Sequence, residues 1–260
     1  MQNQKVNRVR SILKALHKSR KKGVAWLIDP EKCPIENSFI SQYDWVKNSD
    51  LDLIFIGGSQ FSDSNFHDVV KFVKQIAGNV PVVIFPGSHI QVTSGADAIL
   101  FLSLISGRNP EYLIGQQVAA APKIASMGME VLPTAYLLVN DGEITSVNSI
   151  SQTLPIPNRN PQFVRDTALA GYYLGMKYVF IDAGSGSKSP VSKEVIKSVK
   201  NKIPCPLIIG GGINSTEKMK DAYQAGADLV VLGNSIEKDP GFLAEVLEFK
   251  ATYNLCLNVN

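Results

Sequence analysis

The sequence predicts an α/β protein built as a single (β/α)8 barrel, and three observations predict it. Eight short apolar runs rich in β-branched residues recur along the 260 residues. Helical patterns separate most of them, and the last three runs each lead into a glycine-rich loop. Continuous apolar runs of this kind read as strands buried on both faces of a parallel sheet. Eight of them alternating with helices close into a TIM-type barrel. A doubly wound open sheet is the competing arrangement.

The runs lie at 24–28, 53–56, 82–85, 98–101, 129–132, 178–181, 207–209 and 229–232. Helical spacing covers about 65–77, 110–127, 161–175, 191–200, 215–225 and 241–251. Asn109-Pro110 gives the second of these a cap followed by Pro at the first helical position, and Gly226 stands just past the fifth. Two connections are irregular. Only 86–97 separate the third strand from the fourth, barely enough for a crossover, so the third helix is irregular or missing. Between the fifth and sixth strands the chain spends 133–177, and the part through Asn158 reads as a long loop. Loops after strands sit on the C-terminal face of a barrel, where active sites lie.

Composition narrows the class further. With 45% apolar and 19% charged residues the chain buries a substantial core, which excludes disorder. A net charge of +3 is too small to suggest nucleic-acid binding, and no apolar run approaches the ~18 residues of a membrane span. Cys33, Cys205 and Cys256 are scattered without CxxC spacing. A disulfide framework or zinc site is therefore not expected, and a reducing, cytoplasmic compartment fits.

No linker interrupts 23–260, so the barrel is expected to be one domain preceded by a basic segment at 1–22. That segment holds eight Lys or Arg and no acid, leaving −5 on the remainder. Val6, Val9, Leu13 and Leu16 recur at helical spacing, which makes it amphipathic. Such a helix suits an anionic membrane surface or a transit peptide. It precedes the first strand, however, and so enters from the face opposite the active site. Closure of the barrel bottom is the favoured reading.

The chemistry concentrates at strand ends. Ala183-Gly184-Ser185-Gly186-Ser187, Gly210-Gly211-Gly212-Ile213-Asn214 and Gly233-Asn234-Ser235 follow strands six, seven and eight. Glycine lets backbone N–H groups approach an anion, and the loops after strands seven and eight are the usual phosphate site of this barrel. One such turn is weak evidence; three on successive strands indicate phosphate binding. The first strand ends in Asp29-Pro30-Glu31-Lys32 and the second in Gly57-Gly58-Ser59. A carboxylate and a hydroxyl side by side suit Mg²⁺, which takes few protein oxygens plus substrate phosphates. Asp29 as a turn residue and Ser59 as a helix cap are the alternatives. Asp182, at the end of strand six, is the carboxylate best placed for acid–base work, or else it orients the loop. His17, His67 and His89 are too scattered for a hydrolase triad, and no strand ends in the lysine that a Schiff-base aldolase needs.

The ordered set of motifs resembles the geranylgeranylglyceryl phosphate synthases. It comprises Leu27-Ile28-Asp29-Pro30-Glu31-Lys32, Ile56-Gly57-Gly58-Ser59, Phe85-Pro86-Gly87-Ser88 and Asn109-Pro110-Glu111-Tyr112-Leu113-Ile114-Gly115-Gln116. Thr153-Leu154-Pro155-Ile156-Pro157 and the three glycine loops complete it. The resemblance spans nearly all of 24–240 and implies a modified barrel with an irregular third helix. It implies transfer of a geranylgeranyl group from its diphosphate to the 3-hydroxyl of sn-glycerol 1-phosphate, releasing diphosphate and making an ether-lipid precursor. Carried over, Asp29 and Ser59 bind Mg²⁺. Phe180, Ile181, Asp182, Ala183, Gly184, Ser185, Gly186, Gly210, Gly211, Gly212, Gly233 and Asn234 hold glycerol phosphate. The partners expected are sn-glycerol 1-phosphate, a polyprenyl diphosphate, a membrane touched transiently for product release, and further copies of the chain in a homo-oligomer.

One segment departs from the pattern. The family reads Tyr-x-Glu before Ala-Gly-Ser-Gly, and this chain reads Phe180-Ile181-Asp182. A phenolic hydroxyl is absent there, and the carboxylate, the expected general base, is one methylene shorter. Other readings are a heptaprenylglyceryl phosphate synthase, a sugar-phosphate isomerase or lyase on the same barrel, and a non-catalytic phosphate-ligand sensor.

Overall fold

The computed structural model describes residues 7–58 and 65–257. Eight parallel strands form a closed barrel in sequence order: β1 (Gly23–Ile28), β2 (Leu53–Ile56), β3 (Val82–Ile84), β4 (Ala98–Leu104), β5 (Glu130–Leu138), β6 (Tyr178–Asp182), β7 (Leu207–Gly210) and β8 (Leu229–Leu232). The ring shuts where Gly23–Trp26 of β1 pair with Leu229–Leu232 of β8. Side chains alternate across each strand. Ala25, Phe55, Leu100, Tyr136, Phe180, Ile208 and Val231 fill the interior, while Val24, Trp26, Ile54, Ile181 and Val230 face the helices.

Most helices lie where the apolar spacing puts them. They include α1 (Arg8–Ser19), α3 (Phe66–Ala77), α4 (Gln116–Met127), α6 (Pro161–Tyr173), α7 (Lys193–Lys200), α8 (Thr216–Ala225) and α10 (Phe242–Leu257). Asn160 caps α6 by accepting from Phe163 N, and Pro161 follows it at the first helical position. Three short helices, α2 (Asn37–Tyr43), α5 (Ser146–Ser151) and α9 (Asn234–Lys238), are not legible in the spacing. They offer too few turns for a periodic apolar face.

Between β3 and β4 the chain makes only a 3₁₀ turn at His89–Gln91, so no third α-helix covers that side. The fifth strand is longer than its apolar run suggests. It continues through Pro133 and Thr134 to Leu138, and the residues that pair with β6 are Thr134–Leu138. The long loop expected from 133 therefore begins only after Leu138 and contains α5. Proline is tolerated because the ladder to β6 opens on the Pro133 carbonyl, which accepts from Lys177 N; no donor is required of it.

The basic helix α1 lies across the N-terminal end of the barrel. Val9, Leu13 and Leu16 join the interior cluster, and the Glu130 carboxylate accepts from Val9 N and Arg10 N at 3.0 and 2.9 Å. Lys14, Lys18 and Lys21 point to solvent. Acceptance of two helix N-terminal N–H groups by a buried carboxylate anchors the helix as a cap would.

Candidate active site

At the opposite end, the ends of β6, β7 and β8 converge on one cavity. Phe180, Asp182, Gly184, Ser185, Gly186, Gly210, Gly211, Gly212, Gly233 and Asn234 line it, and Asp29, Glu31 and Lys32 from the β1 loop form the facing wall. The expected phosphate-binding positions thus come together with Asp29. Ile181 and Ala183 do not reach the cavity: alternation turns both side chains outward into the layer beneath the helices. Ser59, the second expected metal position, lies outside the described residues.

The glycines are required by geometry. Gly211 sits at φ +78°, and a Cβ there would stand 2.6 Å from Asp182 Oδ1 and 2.8 Å from the backbone nitrogens of Ala183 and Gly184. At Gly57 a Cβ would fall 1.7 Å from the Phe85 carbonyl oxygen, because the ends of β2 and β3 nearly touch. Side chains brace these loops. Ser185 and Asn234 bond each other at 3.3 Å between the β6 and β8 loops. Lys218 Nζ donates to Asn214 Oδ1 at 2.9 Å and to the Gly212 carbonyl at 3.3 Å. A set of loops held this firmly presents backbone donors in fixed positions.

Asp182 is buried, with 8% of its surface exposed. Its Oδ2 accepts from the Tyr136 hydroxyl at 2.6 Å and its Oδ1 from Gly184 N at 2.8 Å. Burial pushes its carboxyl above the usual carboxylate range, and these two hydrogen bonds pull it partly back. Sequence reasoning misses Tyr136 because the residue falls beyond the apparent end of strand five. The apolar run continuing through Ala135, Leu137 and Leu138 is the signal that could have found it.

Asp29 caps the turn that follows β1, accepting from Glu31 N at 3.1 Å, and stands 3.4 Å from Lys32. Lys32 also bonds Glu237 at 3.0 Å, tying the β1 loop to α9 across the closing seam. Asp29 keeps a quarter of its side chain exposed to the cavity side. No group of three or more His, Cys, Asp or Glu that could hold a metal occurs among the described residues. Mg²⁺ does not need one, since one or two carboxylates suffice when phosphates complete its shell. Ser235 Oγ is buried with no hydrogen-bond partner among the described residues and lies in the lining of the same cavity.

A second, apolar cavity adjoins the first. Phe85, Leu100, Leu102, Tyr112, Ala120, Ile124, Tyr136, Val147 and Ile150 line it, and Gly58 and Phe85 belong to both. It extends over β4 toward α4, on the side that the missing third helix leaves open.

The PcrB family model matches residues 17–251. The chain belongs to the PcrB family. Its relatives there include the geranylgeranylglyceryl phosphate synthase of Zunongwangia profunda, 46% identical over 87% of this chain and 95% of that one. The protein of the same name from Spirosoma linguale is 40% identical over 94% and 97%. Among solved structures, (S)-3-O-geranylgeranylglyceryl phosphate synthase from Thermoplasma acidophilum, in complex with sn-glycerol-1-phosphate, superposes with a TM-score of 0.82. It is 31% identical, and the match covers 93% of this chain and 94% of that one. The PcrB-family barrel thus carries its glycine cavity and its apolar cavity side by side at one mouth.

Proposed function

We propose that this PcrB-family chain is a geranylgeranylglyceryl phosphate synthase, joining a geranylgeranyl group to the 3-hydroxyl of sn-glycerol 1-phosphate. The observation that carries this reading is the adjacency of the two cavities, one of backbone glycines and one of apolar side chains, sharing Gly58 and Phe85. A phosphate-bearing acceptor suits the first and a long hydrocarbon the second, so the reacting atoms meet at the shared wall. A sugar-phosphate isomerase has no use for the second cavity.

In this reading the loops at Gly184–Gly186, Gly210–Gly212 and Gly233–Asn234 hold the acceptor phosphate. Asp182, beside them, takes the proton from the attacking hydroxyl. Asp29 would hold Mg²⁺ together with diphosphate oxygens, with Ser59 as the second expected ligand. Mg²⁺ supplies charge neutralisation for the departing diphosphate. Lys32, 3.4 Å from Asp29, adds positive charge to the same wall. The apolar cavity shields the prenyl chain from water and reads its length.

Membrane contact for product release is part of the proposal. Ile114 and Val118, close in sequence to the lining residues Gln116 and Gln117, and Ile144 and Leu154, a few residues from Val147 and Ser151, are exposed apolar side chains. No described helix is long and apolar enough to cross a membrane. A cytoplasmic location is likewise proposed, supported by Cys33 and Cys205, which are buried and form no disulfide. A homo-oligomer is supported by the exposed apolar end of α6, with Tyr173 and Leu174 each about three quarters exposed.

The test is a product assay with sn-glycerol 1-phosphate, Mg²⁺ and prenyl diphosphates of several lengths, read by mass spectrometry. Geranylgeranylglyceryl phosphate is the expected product; a preference for the heptaprenyl donor would transfer the protein to that activity. Excess chelator should stop turnover, and Asp29→Asn should lower it by at least about two orders of magnitude. Full turnover in chelator removes the metal from the mechanism.

A further inference from the structure

Tyr136 stands where the two cavities meet. Its ring lines the apolar cavity, and its hydroxyl reaches through the shared wall to Asp182, which lines the other. The ring is fixed edge-on against Phe85 and Phe180, with centroids 5.8 and 5.5 Å away. Each oxygen of Asp182 has one buried donor, Tyr136 on Oδ2 and Gly184 N on Oδ1. The carboxylate cannot rotate without losing both bonds, and each oxygen keeps a second lone pair for a substrate proton. Burial drives the Tyr136 hydroxyl far above the ordinary tyrosine range, and the adjacent Asp182 adds to this. The hydroxyl therefore remains a donor at any working pH.

The register gives this arrangement a meaning. Tyr136 of β5 is the direct partner of Phe180 of β6. The position two residues before the carboxylate, where the resembled pattern carries a phenol, holds a phenyl ring here. The phenol comes instead from the neighbouring strand at the same height.

We propose that Tyr136 is the positioning residue for Asp182, holding it oriented and ionised, and that it acts on the acceptor only through Asp182. The proposal rests on the reading of Asp182 as general base. In the step it serves, the acceptor hydroxyl gives its proton to Asp182 and forms the new C–O bond with its electron pair. The bond from that carbon to the diphosphate breaks, and the diphosphate leaves with the bonding pair. The Tyr136 proton stays on its own oxygen throughout.

No other titratable side chain touches Asp182 among the described residues. Gly210 at the end of β7 and Gly211 just after it lie beside Asp182 Oδ1, and the β5–β6 loop sets the uncharged Asn140 and Thr145 against the neighbouring Ala183 and Gly184. Asp29, Glu31, Lys32, Glu237 and Lys238 stand elsewhere on the cavity lining. Loss of the Tyr136 bond therefore acts directly on the carboxyl. That bond favours the ionised form, so its removal raises the pH at which Asp182 becomes a base.

Tyr136→Phe deletes one oxygen and keeps the ring packing. At neutral pH, kcat should fall about tenfold or more while the KM for sn-glycerol 1-phosphate stays within about twofold, and the acid limb of kcat/KM should move up by about one pH unit. The double variant Tyr136→Phe/Asp182→Asn should be no slower than Asp182→Asn alone, because Tyr136 has nothing left to act through. An unmoved acid limb, or a double variant whose loss is the product of the single losses, overturns the proposal for Tyr136 and leaves Asp182 as base. Near-normal kcat in Asp182→Asn overturns the base itself, and the proposal with it.

Discussion

At the bottom of the barrel, Asp52, Asp97 and Asp228 each stand just before an even-numbered strand and accept from the backbone N–H at the start of the preceding one. The acceptances are Val24 N at 2.9 Å, Val82 N at 2.7 Å and Leu207 N at 2.9 Å. Each of the three aspartates also pairs with a lysine: Lys250, Lys74 or Lys200. At the mouth, by contrast, β6, β7 and β8 run into glycines, and Gly184, Gly186, Gly211 and Gly212 all hold positive φ. The bottom satisfies its strand ends with its own charges and is capped by α1. The mouth leaves space and backbone free for a ligand. A buried charge that is already paired confers structure, whereas fixed backbone without side chains confers binding.

Two substitutions of the same kind should separate the ends most sharply. Asp182→Asn at the mouth should lower kcat by about 10²–10⁴ with little change in melting temperature, since Asn keeps the outline and loses the basicity. Because burial raises Asp182, the acid limb of wild-type kcat/KM should also lie above the ordinary aspartate pKa of about 4. Asp228→Asn at the bottom should do the reverse. It leaves Lys200, 2.7 Å away, without its buried counter-charge, and unfolding in urea should show a loss of about 3–5 kcal/mol. Activity per folded molecule should be unchanged. Equal effects on both properties from either variant would break the division.

A smaller effect concerns Lys22, which donates to the Ala227 carbonyl at 2.7 Å and is pushed down to about 8 by burial. The unfolded chain retains a pKa near 10.5, so above pH 8 the unfolded state binds more protons than the folded one. The cost of keeping Lys22 charged in the fold is present below pH 8 and fades as pH rises to about 10.5. The stability of wild type relative to Lys22→Met should therefore rise across that window in unfolding titrations. The smallest effect should come from charge reversal of Lys14, Lys18 and Lys21, which are exposed. Stability should change by about 0.5 kcal/mol or less for each. Association with anionic liposomes in a sedimentation assay should not change; a large loss would give α1 a membrane role in addition to its place under the barrel.

Most strands can be read directly from their apolar runs, because a strand buried on both faces must be apolar at every position. β4 runs on past its run to Leu104, and β5 past its own to Leu138. The fifth run stops at 132, since Pro133-Thr134 reads as punctuation when no neighbour is in view. Pro133 is tolerated only because β6 asks for its carbonyl. That one feature hides Tyr136. The catalytic candidate Asp182 is legible as a carboxylate at a strand end. Ile181 and Ala183 join it in the sequence motif, but contiguity along the chain is not contiguity in the site. Alternation turns them away.

The barrel and its glycine loops follow from the amino-acid sequence alone, because both are local. Apolar period fixes each strand, and glycine fixes each turn that must bring backbone close to a ligand. Which side chains meet across strands is settled only when the barrel closes. The Tyr136 hydroxyl reaches Asp182 from 46 residues away, and Asp228 reaches His17 from 211. The open side over β4 exists because a helix is absent between β3 and β4. Such contacts depend on register and barrel closure, which no single segment encodes.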